Sequence, residues 1–128
     1  MRFLLDTHLV LWSLLEPDRL SGQARSLLQS RQTALVFSTV CLWEIGIKRG
    51  LKKREFQADP RVLRRTMLDD GYEELPVLGQ HAVEVDILPP IHKDPFDRIL
   101  IAQAMVEGIT LLTADPVIAR YPGPIRKV

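Results

Sequence analysis

The hydrophobic pattern changes its period repeatedly along the chain. Short apolar runs, which are typical of buried strands, alternate with longer stretches in which apolar residues recur every three or four positions, as in amphipathic helices. Strands are predicted at residues 2–5, 33–37, 74–78, 109–113 and 125–128. Helices are predicted at residues 7–15, after a Ser21 cap, at 39–49 between Ser38 and Gly50, at 60–71, at 95–108 and, briefly, after Asp115-Pro116. Residues 80–87 fit either a helix or a strand.

This alternation predicts an α/β sandwich around a central, mainly parallel sheet. A length of 128 residues with 46% hydrophobic positions suits one domain over residues 1–128. The single cysteine, Cys41, cannot form an internal disulfide, and neither an export leader nor a membrane span is evident. We therefore expect a cytoplasmic protein with no membrane partner.

Charge is distributed unevenly along the chain. Its total is +1, yet residues 48–65 hold eight basic side chains and two acidic ones. The bases Lys48, Arg49, Lys52 and Lys53 directly follow a predicted helix and form a candidate contact for a polyanion such as RNA. A solvated helix face is the other interpretation of this segment.

Several carboxylates lie on helix faces that the pattern marks as buried. Glu44 falls within a stripe formed by Val40, Trp43 and Ile47. Asp97 precedes Leu100, Ile101 and Ala104 on one face of its helix, and Asp94 lies one turn earlier. An unpaired buried carboxylate costs several kcal/mol, so such residues usually have a partner, and a metal ion is a common one.

Two further acids follow predicted strands. Asp6 and Asp115 come at or just after the carboxyl ends of apolar runs, where parallel sheets bind ligands. If those strands are neighbours, Asp6, Glu44, Asp97 and Asp115 meet in one cleft and repel one another. A hard divalent cation, Mg²⁺ or Mn²⁺, would relieve that repulsion.

Structural interpretations of the same residues stay open. Asp94 and Asp115 each precede proline, so capping a helix start is an alternative role that needs no metal. The Asp59-Pro60 pair has the same pattern without any sign of function. Glu44 can pair with Lys48 one turn later. The three histidines show no zinc spacing and are interpreted as ordinary polar residues, while Trp12 and Trp43 are expected in the core.

Four segments together resemble the PIN-domain family, and in particular its VapC-like toxins of prokaryotic type II toxin–antitoxin systems. These segments are Leu-Leu-Asp-Thr-His at residues 4–8, Leu-Trp-Glu-Ile-Gly-Ile-Lys at 42–48, Asp-Pro-Phe-Asp-Arg-Ile-Leu-Ile-Ala-Gln-Ala at 94–104 and Leu-Thr-Ala-Asp at 112–115. They occur in the family's order and at its spacing over nearly the whole chain.

The resemblance implies an endoribonuclease that depends on Mg²⁺ or Mn²⁺, acts as a homodimer and is held inactive by a cognate antitoxin. DNA would be contacted only through that antitoxin. The four family acids correspond to Asp6, Glu44, Asp97 and Asp115, with metal held mainly by Asp6 and Asp97. Asp94 belongs to one branch's Asp-Pro-Phe-Asp-Arg variant, in which it either touches metal or caps the helix.

Other classes fit the sequence less well. A receiver-like signalling domain needs an aspartate ending a central strand and a lysine after a late one, and both are missing here. An aspartate-nucleophile phosphatase needs a second acid where His8 stands. A non-catalytic RNA-binding module of the same fold is the stronger alternative.

Overall fold

Five short strands form one parallel sheet in a computed structural model that describes all residues, 1–128. They are β1 (Arg2–Leu5), β2 (Ala34–Ser38), β3 (Glu73–Leu75), β4 (Thr110–Thr113) and β5 (Ile125–Lys127), in the order β3-β2-β1-β4-β5. Every neighbouring pair runs parallel. The predicted parallel sheet is thus confirmed, with β1 at its centre.

Six helices connect these strands. They are α1 (Thr7–Leu15), α2 (Gly22–Gln29), α3 (Thr39–Gly50), α4 (Pro60–Asp69), α5 (Gly79–Glu84) and α6 (Pro95–Glu107). The side chains of Ser21 and Ser38 accept backbone hydrogen bonds at the first turns of α2 and α3, which confirms both predicted caps. α6 ends at Gly108, whose φ of 66° is a left-handed conformation that favours glycine.

Three predicted elements differ in detail. β3 ends at Leu75 because Pro76 cannot donate a hydrogen bond to a continuing ladder. Residues 79–84 are helical, which resolves the ambiguous segment. The turn after Asp115-Pro116 is a short 3₁₀ segment at Ile118–Arg120.

Alternate strand residues face two hydrophobic cores, one on each side of the sheet. In β1, Leu4 packs into the core formed with α6, whereas Phe3 and Leu5 pack with α1 and α4. This is the period-two alternation of strand side chains, with both faces covered by helices. None of the helices is both long and apolar enough to cross a membrane.

Candidate functional site

Asp6 occupies the junction between the central strand β1 and helix α1. Its Oδ1 accepts a hydrogen bond from the Leu9 backbone N–H at 2.8 Å, which caps α1. Its Oδ2 accepts a hydrogen bond from Thr113 Oγ1, at the end of β4, at 2.5 Å. The residue is 2% exposed, and this burial raises the pKa of its carboxyl. Asp6 therefore has a fixed position but an environment that opposes its negative charge.

Glu44 lies on the buried face of α3 and is also 2% exposed. Its Oε1 accepts a hydrogen bond from Thr7 Oγ1 at 2.6 Å, and its Oε2 accepts one from the Lys48 ammonium at 2.5 Å. Thr7 Oγ1 also lies 3.4 Å from the sulfur of buried Cys41, and burial raises the pKa of that thiol to about 12. Thr7 thus orients Glu44 from the first turn of α1.

Glu44 is buried, as predicted. The apolar stripe of Val40, Trp43 and Ile47 that suggested this burial is only partly correct. The buried residues of α3 are Val40, Cys41, Glu44 and Ile45. Trp43 is 64% exposed and Ile47 38% exposed, so Trp43 is not a core residue. The helix is rotated so that Cys41 and Ile45 face inward.

Asp97 lies in the first turn of α6, and its carboxyl has a strongly raised pKa. Burial, followed by the nearby charge of Asp94, raises the pKa of Asp97 to about 7. The charges of Glu44 and Asp6 act in the same direction, so these carboxyls lie within electrostatic reach of Asp97. Nε2 of His92 lies 2.8 Å from Asp97 Oδ2 and partly offsets this effect.

Asp94 and Asp115 both cap local turns. Asp94 Oδ1 accepts a hydrogen bond from the Phe96 N–H at 2.8 Å, and Asp115 Oδ1 accepts one from the Val117 N–H at 2.8 Å. Asp94 Oδ2, however, faces the Lys48 ammonium at 3.8 Å. Capping therefore uses one oxygen of Asp94 and leaves the other directed towards the acidic cleft.

The site also contains Thr7, Thr113 and His92, which were not predicted from the sequence. Thr113 Oγ1 donates to Asp6 and accepts a hydrogen bond from the Asp115 backbone N–H at 3.0 Å, so it links two acids. One ligand atom each from His92, Asp94 and Asp97 lies within 4.8 Å of the others, which is a possible metal-binding group. No spacing pattern in the sequence distinguished these residues from ordinary polar ones.

The predicted basic segment divides into two kinds of residue. Lys48 is half-buried, and its ammonium pairs with Glu44 and lies 4.7 Å from the ring centroid of Phe56. The hydrogen bond and charge of Glu44 outweigh burial and raise the pKa of Lys48. Arg49, Lys52 and Lys53 are exposed; Arg49 lies 3.8 Å from Asp59, whereas Lys52 and Lys53 form no ion pair. Lys48 is thus a counterion within the site.

These side chains fit a hard divalent cation. The cleft offers carboxylate oxygens from several elements, and oxygen ligands are what Mg²⁺ and Mn²⁺ prefer. The Lys48 ammonium is the only lysine or arginine charge within ion-pair distance of these acids. A bound cation would neutralise the charge that burial and mutual repulsion disfavour.

A comparison with known protein families identifies the family of this chain. Residues 3–124 match the family model described as PIN domain. Because this match spans almost the whole chain, the protein belongs to the PIN domain family. No curated protein matches the chain in sequence.

Several solved structures have the same fold, and three of them are VapBC proteins. A chain of VapBC2 from Rickettsia felis, bound to a promoter DNA fragment, has a TM-score of 0.73 at 16% identity, covering 99% of this chain and 98% of that one. DNA-bound VapBC from Salmonella typhimurium gives 0.65 at 17%, with coverage of 99% and 98%. VapBC-5 from Mycobacterium tuberculosis gives 0.60 at 15%, with coverage of 99% and 97%. At these identities the likeness concerns the fold.

The raised pKa of Asp97 predicts how stability depends on pH. Between about pH 4 and pH 7 the unfolded chain has released a proton that folded Asp97 still holds, so the free energy of unfolding of the metal-free protein should fall as pH rises. Asp97→Asn should flatten this dependence and be more stable than wild type at pH 8, by up to about 4 kcal/mol, since each pKa unit corresponds to about 1.4 kcal/mol. The thermal midpoint in EDTA across this pH range measures both effects.

Asp59→Asn is the matched control, because Asp59 also precedes proline and caps a helix but lies outside the cleft. It should keep the wild-type dependence on pH. If Asp97→Asn instead lowers the midpoint at pH 8, Asp97 stabilises the helix start and the acids do not repel one another.

Proposed function

We propose that this protein is a metal-dependent endoribonuclease, acting as the toxin of a type II toxin–antitoxin pair in the cytoplasm. The observation that carries the proposal is the set of carboxyls around Asp97, where the charges of Asp94, Glu44 and Asp6 all disfavour ionisation in the absence of a cation. Such an arrangement destabilises the fold and is typical of a functional site. Membership of the PIN domain family supports the same activity.

Asp6 and Asp97 would hold the ion, with Glu44, Asp115 and Asp94 completing the acidic cage. A bound Mg²⁺ or Mn²⁺ supplies Lewis-acid stabilisation of the phosphate and makes water a stronger nucleophile. Addition of water at phosphorus, with departure of the 3′ oxygen as a hydroxyl, gives a 5′-phosphate and a 3′-hydroxyl.

The chain's own hydrogen bonds fix the geometry of this chemistry. Leu9 and Thr113 hold the two oxygens of Asp6, and Thr7 and Lys48 hold those of Glu44. With a pKa of about 7, Asp97 can also exchange a proton near neutral pH when no cation is bound.

Loss of either main ligand should abolish cleavage. Asp6→Asn and Asp97→Asn each remove a ligand charge while keeping the side-chain shape, so RNA cleavage in Mg²⁺ or Mn²⁺ should fall by at least about a hundredfold. Growth arrest on expression should disappear with it. The measurement is cleavage of total and synthetic RNA by the purified proteins.

Asp59→Asn again serves as the control and should cleave at the wild-type rate. Binding of RNA without cleavage by the wild-type protein would favour the non-catalytic module. Cleavage that persists in EDTA, or in either ligand variant, would contradict the metal-dependent reaction.

RNA backbone contacts are assigned to the exposed part of the basic segment, namely Arg49, Lys52 and Lys53. Arg49 lies in the last turn of α3, the helix that carries Glu44, and Lys52 and Lys53 follow directly after that helix. Lys48, expected from the sequence to join them, is committed to Glu44 and would act on RNA only by balancing the charge of the cleft.

Replacing Lys52 and Lys53 by Ala should weaken RNA binding and reduce its salt dependence. Each lost phosphate contact should lower the slope of log affinity against log salt by roughly 0.7 for a single strand. Arg31→Ala is the control, because Arg31 is exposed in the turn preceding β2, at the amino end of the sheet. An unchanged slope in the double variant would show that these lysines only solvate the surface.

A cognate antitoxin and a second copy of the chain are the proposed protein partners, with DNA reached only through the antitoxin. The solved complexes of similar fold support the antitoxin. For the second copy, the support is an exposed apolar surface around Trp43, which lies edge-on to Phe96 at 5.4 Å between ring centroids. Thr39, Trp43, Val77 and Ile99 line an adjoining cavity of about 340 Å³.

Trp43→Ser should convert a dimer to a monomer of 14.6 kDa, because it removes the largest exposed apolar side chain of this surface. Sedimentation or light scattering measures the mass. Leu15→Ser is the matched control, since Leu15 is 56% exposed but does not line this cavity. A wild-type protein that is monomeric throughout would contradict the homodimer.

A further inference from the structure

A cavity of about 210 Å³ opens beside the acidic cleft, on the side formed by α1 and the end of β4. Asp6 and Asp115 form one end of it. The remaining lining comes from His8, Trp12, Arg19, Glu55 and Ala114. Since two proposed catalytic acids belong to its wall, any molecule that fills the cavity lies next to the reacting groups.

Trp12 and Arg19 form a cation–π pair in the wall of this cavity. The guanidinium carbon of Arg19 lies 4.8 Å from the centroid of the Trp12 ring, within cation–π distance. His8, one helical turn before Trp12, lies 5.7 Å away between ring centroids. The rest of Trp12 packs against the hydrophobic core on this side of the sheet, which holds the indole in place.

The charges around this pair leave Arg19 available. Its contact with Glu16 is 3.2 Å long and exposed, and such surface pairs contribute little. Glu55 is engaged by His8 at 3.2 Å. The Arg19 side chain is 49% exposed, so an incoming group can reach the guanidinium without unfolding any element.

We propose that this cavity binds one nucleotide of single-stranded RNA adjacent to the cleaved bond, with its base stacked on the Trp12–Arg19 pair. Aromatic rings and guanidinium planes are the groups on which proteins stack unpaired bases. The Arg19 guanidinium also attracts the phosphates of an RNA backbone. It would repel a basic peptide, which the neighbouring carboxylates would otherwise attract. The inference rests on the proposed nuclease function and adds the residues that position its substrate.

The two tryptophans allow a direct test with the full-length chain. Trp43→Phe leaves Trp12 as the only indole, and a short single-stranded RNA of mixed sequence should quench its fluorescence saturably in EDTA, where the proposed reaction cannot cut the RNA. Trp12→Phe is the matched control, which leaves only Trp43, outside the cavity. Equal quenching in the two proteins, or none in the first, would overturn the assignment.

Arg19→Gln tests the second half of the stack. In the Trp43→Phe protein it should raise the Kd for this RNA about fivefold, at the lower end of the range for loss of base stacking. Arg19→Lys keeps the charge but not the plane and should fail to restore affinity. In cleavage assays Arg19→Gln should raise KM with little change in kcat, because a positioning residue contributes to binding without touching the reacting atoms.

The outcomes separate this inference from the proposed function. Cleavage in Mn²⁺ without Trp12 quenching, and with an unchanged KM in Arg19→Gln, would leave the nuclease intact and remove the nucleotide site. Quenching and its loss in Arg19→Gln without any cleavage would support the nucleotide site and remove the nuclease. Full affinity of Arg19→Lys would show that charge alone acts there, which contradicts stacking.

Discussion

The buried carboxylate of Asp6 is the constraint around which the structure is arranged. A charge that is 2% exposed requires hydrogen-bond donors, and Asp6 takes them from the first turn of α1 and from the end of β4. The same donors tie the central strand to its neighbour and to the helix that follows it. Fold and site therefore depend on the same few hydrogen bonds.

The acids of the site have too few basic partners to form a balanced network of ion pairs. Lys48 pairs with Glu44 and approaches Asp94, but no lysine or arginine forms an ion pair with Asp97 or Asp6. Asp97 consequently has a pKa of about 7, even though His92 lies within hydrogen-bonding distance. A chain selected only for stability would place apolar residues at the positions of Asp6 and Asp97. The excess negative charge is therefore typical of a binding site.

Local signals explain what could be predicted from the sequence. The caps Ser21 and Ser38, the glycine after α6 and the apolar runs of the strands each act within a few residues, and the structure agrees with them. The acids were identified because a charge on an apolar face is unfavourable whatever its partner. The approach of Asp115 to Asp6 depended on which strands are neighbours, and β1 pairs in parallel with β4.

Other features depended on distant parts of the chain. A rotation of α3 by about one residue exposes Trp43 and buries Cys41, because the helix contacts both cores rather than one, and periodicity alone does not distinguish these positions. The Lys48 ammonium lies over the rings of Phe56 and Phe96, which are not its neighbours in sequence. His92, Thr7 and Thr113 were likewise not predicted, because their contacts in the site are made in the folded structure and leave no local pattern in the sequence.

The burial of Cys41 has a practical consequence for the chemistry of the whole protein. This is the only thiol in the chain, it is fully enclosed, and its pKa of about 12 keeps it protonated at physiological pH. Thiol-directed oxidants and alkylating reagents act on exposed thiolates, so the folded protein offers them no reactive thiol. The folded protein should not respond to thiol reagents, and a cysteine introduced on the surface would be the single reactive thiol for a spectroscopic label.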